Sequence, residues 1–109
     1  MKFKVKDREL EIRKSIYNSG HYALAVVDAM SGEGVAILTV DTPNFERPKM
    51  EFAIKTWGEN ERIIPDVFNT GMFEDTGRRG TSDEKDVTVE LWVMADGRYI
   101  GEFPDLPTN

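Results

Sequence analysis

The chain has 109 residues, 39% of them hydrophobic, no cysteine, and a formal net charge of −6. That length suits one hydrophobic core and is short for two, so residues 1–109 are expected to form a single domain. The lack of cysteine excludes disulfide frameworks, thiolate nucleophiles and zinc–thiolate sites. No run approaches the roughly 20 apolar residues that span a bilayer, so no membrane association and a cytoplasmic location are expected.

The apolar residues come in short runs separated by turn residues, the pattern of a folded chain. Phe3 and Val5 alternate with lysines, and Leu10, Ile12 and Ile16 alternate with polar residues, which is the period of half-buried strands. Asp7-Arg8 is expected to turn between them. The runs 22–27 and 35–40 are apolar at nearly every position, which predicts a sheet centre covered on both faces. Asn18-Ser19-Gly20 and the glycines near 32 and 34 supply the hairpin loops of an antiparallel meander.

Pro43 and Pro48 mark a loop, after which residues 50–55 resume a strand. One short helix follows, with Ile63, Ile64, Val67 and Phe68 forming its apolar stripe, Glu59 and Glu61 at the positive end of its dipole, and Gly71 past its end. Pro65 is tolerated only in a first turn, which places the helix start just before it. Residues 74–86 are rich in charge, glycine, serine and threonine, and read as an exposed loop. Residues 87–94 form a strand, and Asp96-Gly97 predicts a type I′ hairpin returning through 98–103, with Met94 opposite Tyr99 and Trp92 covering Gly101. The expected fold is therefore α+β: an antiparallel sheet, built from a meander plus a C-terminal hairpin, with one short helix packed on one face.

Charge divides unevenly. Residues 1–57 carry nine Lys/Arg and eight Asp/Glu, whereas residues 58–109 carry five and twelve, a net of −7. An acidic face opposes attachment to phosphate backbones and favours basic partners, so no direct nucleic-acid binding is expected; the competing reading is a solvated, solubilising surface.

No phosphate-binding glycine loop, nucleophile elbow or histidine metal signature occurs, so no catalytic residue, metal or cofactor is assigned and the chain is expected not to be an enzyme. The single histidine, His21, reads first as a turn residue bonded to backbone or solvent, and otherwise as a base paired with a carboxylate. Glu74 with Asp75, and Asp83 with Glu84 and Asp86, lack calcium-loop spacing and read as solvated carboxylates before cation ligands. Arg78 and Arg79 read as a structural ion pair or as plainly exposed before they read as a nucleic-acid footprint. Trp57, Trp92, Phe68, Phe73, Tyr99 and Phe103 are expected in the core or on a sheet face; any that is exposed becomes a binding anchor.

The stretch Phe52-Ala53-Ile54-Lys55-Thr56-Trp57-Gly58-Glu59-Asn60-Glu61, with Gly71-Met72-Phe73-Glu74-Asp75-Thr76-Gly77-Arg78 after a short helix, resembles an uncharacterised family of small proteins encoded on plasmids, conjugative elements and phages of gut bacteria. Members of that family commonly have serine in place of Gly58 and a helix without Pro65. The resemblance implies a setting and no catalytic residues: small acidic proteins of mobile elements are often inhibitors of host defence nucleases, of the anti-CRISPR or anti-restriction type. On that expectation Glu74, Asp75, Asp83, Glu84 and Asp86, beside Arg78 and Arg79, meet a basic groove on a CRISPR or restriction nuclease. The alternative is a structural or regulatory accessory protein that self-assembles, as a homodimer, through an exposed sheet face.

Overall fold

A computed structural model describes residues 2–41, 50–81 and 87–106. The loop expected around Pro43 and Pro48, and the carboxylates Asp83, Glu84 and Asp86, lie outside the described residues. The architecture is mainly antiparallel β, in two sheets of four and three strands, with one short α-helix and two 3₁₀ turns among the described residues.

The meander forms as its alternation predicts. Strands β1 (Lys2–Val5), β2 (Arg8–Ile16), β3 (Tyr22–Asp28) and β4 (Gly34–Ile37) pair in chain order. Opposite Ile12 stands Val26, and both are fully buried, as is Leu24 beside them. The first turn is Lys6-Asp7 and not Asp7-Arg8, because Val5 pairs with Arg8. Lys6 adopts φ 58° there, a left-handed conformation that a side chain makes costly and glycine tolerates. Lys6→Gly is therefore expected to raise the unfolding free energy by roughly 0.5–1 kcal/mol, read from urea denaturation midpoints at unchanged m.

The expectation of two fully covered central strands holds for β3 only. Its Ala23 and Val27 are buried on one face and its Leu24 and Val26 on the other. In contrast β4 is the edge of the first sheet, with Ile37 58% exposed. The run that begins in β4 changes partners partway: Leu38 still donates its N–H to the Leu24 carbonyl, while Val40 donates to Ala53 and Thr39 bridges Ile54. Residues 38–40 thus couple the first sheet to the second, which sequence periodicity cannot show.

The second sheet holds β5 (Phe52–Ile54), β7 (Thr88–Met94) and β6 (Phe73–Thr81) in that order. Two expectations fail here. Residues 74–81 are not a loop: β7 supplies the ladder that their charged, glycine-containing sequence does not advertise. The register runs Asp75↔Trp92 and then Arg79↔Glu90, so Thr76, Gly77 and Arg78 bulge opposite Leu91 alone, with Gly77 at φ 82°. Nor does a C-terminal hairpin form, because both edges of β7 are already taken by β5 and β6. Asp96-Gly97 does turn, closed by the Arg98 N–H on the Ala95 carbonyl, but residues Ile100–Glu102 then make a 3₁₀ turn. Gly101 faces the Tyr99 ring, where an added Cβ would lie 2.6 Å from Cε2, and Trp92 stands opposite Phe52 and Asp75 instead.

Helix α1 (Ile64–Phe68) begins just before Pro65, as expected, and continues from a 3₁₀ turn, Gly58–Arg62, that holds Glu59 and Glu61. Ile63 and Val67 face the core together with Phe52, Ile54, Phe73 and Phe103. Inside the 3₁₀ turn Asn60 is fully buried and its Nδ2 donates to the carbonyls of Ile37 (2.7 Å) and Lys55 (2.9 Å). One side chain therefore ties the helical segment to the edge strand β4 and to the end of β5, satisfying two backbone acceptors.

Candidate functional site

The site residues named from sequence fall on β6 wherever they are described. Adjacent strand residues point to opposite faces, so Glu74 and Asp75 part company. Asp75 shares the face of Trp92 and accepts two hydrogen bonds from the Arg79 guanidinium, both 2.9 Å. This bidentate partner, followed by the Gly77 N–H, holds the Asp75 carboxyl below its ordinary range, and Asp75 in turn raises Arg79. Arg78 leaves the bulge on the other side and gives both oxygens of the buried Glu51 carboxylate a 2.8 Å hydrogen bond. Arg78 and Arg79 thus make ion pairs within the molecule. Glu74 is exposed and enters no ion pair among the described residues.

His21 and Ser19 lie on the β2–β3 turn and meet Asp41, which follows β4 in the chain. The Ser19 hydroxyl donates to Asp41 Oδ1 at 2.7 Å, and His21 Nδ1 stands 3.4 Å from that hydroxyl and 4.0 Å from the carboxylate. A nucleophilic relay needs the imidazole between hydroxyl and carboxylate. Here the hydroxyl bonds the carboxylate directly, and the network ties the turn to the chain after β4. No group of three or more His, Asp or Glu side chains among the described residues is arranged to hold a metal ion. No helix of the described residues is long and apolar enough to cross a membrane.

A feature that sequence reading missed is an open groove of about 920 Å³ between the β1–β2 turn, the β3–β4 turn and the helical segment. Its floor is apolar, from Val5, Leu10, Val35 and Ile63, and charged side chains rim it. Its residues come from three distant stretches, so no local motif marks it. Met30, also on the rim, is 92% exposed.

Asp28 closes one end of the groove and caps the β3–β4 turn, accepting the backbone N–H groups of Met30 (2.9 Å) and Ser31 (3.1 Å) and Arg8 Nε (3.0 Å). The Ser31 N–H, then Arg8, then the Met30 N–H hold its carboxyl at about 2, from an ordinary 3.8. A carboxylate lowered in the fold contributes stability that is complete above its unfolded value and is lost as pH falls through the folded one. Asp28→Asn is accordingly expected to be less stable than the parent at neutral pH, with the gap closing from about pH 4 to about pH 2. Urea midpoints of both proteins across that range test this, and a gap independent of pH would contradict it.

Of the aromatic side chains, Phe73, Trp92 and Phe103 are buried, whereas Phe68 and Tyr99 are 39% and 64% exposed. No family model matches this chain, and neither a curated protein nor a solved structure is significantly similar to it.

Proposed function

We propose that this chain is a non-enzymatic protein-binding module that presents the acidic surface of its second half to a basic partner. One observation carries the reading. Three of the four described arginines in that half are engaged within the molecule: Arg78 with Glu51, Arg79 with Asp75 and Arg98 with Glu102. Glu61, Glu74 and Asp96 are exposed and enter no ion pair among the described residues. The excess of negative charge is thus unsatisfied at the surface, where it can steer and pair a cationic partner. The resemblance of residues 52–78 to proteins of mobile elements supports narrowing that partner to a host defence nuclease, of the CRISPR or restriction type, inhibited by occupation of its nucleic-acid groove.

The test begins with capture of candidate nucleases from a bacterial lysate on the immobilised chain, washed at low and high salt. A captured nuclease should be lost at high salt and inhibited in cleavage assays. The double reversal Glu61→Lys with Glu74→Lys should slow association about tenfold at low salt and much less at high salt. Unchanged association after reversal would overturn the acidic-surface reading.

A second reading is favoured by β4, whose side chains carry no charge and whose Ile37 is 58% exposed, an apolar sheet face that can pack against a second copy. Light scattering decides it: a mass near 12.4 kDa at high concentration counts against self-assembly.

A further inference from the structure

We infer that Asn60 is a guard, closing the backbone edge of β4 against pairing with β4 of a second copy. The inference concerns that edge, not the face of β4, and is independent of which partner the acidic surface meets.

The outermost strands of a sheet present unpaired N–H and C=O groups, a template on which another chain can pair. Among the described residues three strands stand in that position, β1, β4 and β6, because the outer side of β5 is taken by residues 38–40. Charge protects two of them. Lys2 and Lys4 lie on β1, and Glu74, Asp75, Arg78 and Arg79 lie on β6 together with its bulge. β4 is Gly34-Val35-Ala36-Ile37, with no charge at all. Two copies laid antiparallel about Ala36 bring Ile37 of each opposite Val35 of the other, an apolar β-branched pair with no like charges in contact. A second β4 is therefore the strand this edge has to be kept from.

One side chain closes it. The Leu38 N–H bonds the Leu24 carbonyl, so by the alternation of an antiparallel ladder Ile37 directs its carbonyl away from β3. That carbonyl accepts Asn60 Nδ2 at 2.7 Å, and the same nitrogen donates to the Lys55 carbonyl at 2.9 Å. Asn60 thus stands where the N–H of a neighbouring strand would stand. It is fully buried, and its Oδ1 accepts no hydrogen bond among the described residues. A buried oxygen without a partner is destabilising, and an apolar side chain filling the same space would not carry one. The amide is accounted for by its donors, and one of the two acceptors they cover is the open edge of the only uncharged edge strand among the described residues.

The experiment compares self-association of the full chain and its variants by sedimentation equilibrium. Asn60→Ala should associate at least about tenfold more tightly than the parent, with circular dichroism unchanged. Exchange of the Ile37 amide proton, followed by NMR of the ¹⁵N-labelled variant, should slow as concentration rises. Ile37→Lys added to Asn60→Ala should return the association to the parent's level without recovering the stability lost, because it charges β4 as Lys2 and Lys4 charge β1. A purely structural Asn60 would lower stability and leave association where it was, and a folded Asn60→Ala chain that associates no more than the parent overturns the assignment. So does association that Ile37→Lys leaves intact, or that leaves Ile37 exchange unchanged. Should the alanine variant not fold, Asn60→Leu keeps the volume and lacks the donors, and it should associate in the same way. If neither variant folds, Asn60 is a structural tie and the guard assignment falls.

Discussion

Trp92→Ala should lower the unfolding free energy by about 3–5 kcal/mol, a large part of the roughly 5–15 kcal/mol typical of a small domain. Trp92 is 1% exposed at the middle of β7 and meets Phe68 edge-on at 5.0 Å and Phe73 at 5.6 Å. Its Nε1 donates to Glu90 Oε1 at 3.1 Å, so the indole's one polar atom is satisfied as it is buried. Alanine removes the largest fully buried side chain of the core and with it the ring against which Phe68, already 39% exposed, packs edge-on. Trp92→Phe retains most of the packing and loses the hydrogen bond and one ring, for which about 1–2 kcal/mol is expected. Chemical denaturation followed by circular dichroism measures both without relying on the deleted fluorophore. A loss near zero for the alanine variant would contradict the placement of Trp92 in the core.

The second large effect lies at the C-terminal end. Phe103→Ala should also cost about 3–5 kcal/mol, whereas Tyr99→Ala should change stability by less than about 0.5 kcal/mol. Phe103 is fully buried and stacks on Phe73 at 5.8 Å, while Tyr99 is 64% exposed. The chain is held there by β2: Lys14 N–H donates to the Pro104 carbonyl, Leu106 N–H donates to the Lys14 carbonyl, and Lys14 Nζ reaches the Phe103 carbonyl at 2.6 Å. Had residues 98–103 returned beside β7, Tyr99 would stand opposite Met94 and its truncation would be felt. Denaturation of the two alanine variants separates these arrangements directly, because comparable losses would favour a returning hairpin.

The candidate surfaces were legible from sequence to different degrees. Excess acidity in the second half follows from counting residues, and ion pairing at Arg78 and Arg79 was one of two readings, beside plain exposure, that the sequence left open. Their particular carboxylates were not legible. Glu51 lies 27 residues from Arg78, and the two meet only because the β6 bulge turns Arg78 toward the start of β5. Asp75 and Arg79 are four apart in a strand, a spacing that would ordinarily place them about two residue pairs distant along one face; the bulge shortens that path. The groove was invisible for a similar reason, since its floor combines β1, β2, β4 and the residue before α1.

What the amino-acid sequence determined by itself are the local elements whose side chains report their surroundings at short range. Alternation set β1 and β2, glycine and small polar residues set the second and third turns of the meander, and Pro65 set the start of α1 because its ring tolerates only a first turn. Tertiary structure alone decided which strand each edge would meet. Residues 73–81 became a strand because β7 offered a free edge, Asp96-Gly97 could not return as a hairpin because that edge and its opposite were then filled, and residues 38–40 joined the two sheets by exchanging Leu24 for Ala53 and Ile54 as partners. Strand pairing is a contest among backbone groups that are chemically alike along the whole chain, so burial of the shared core decides it, not the residues of any one segment.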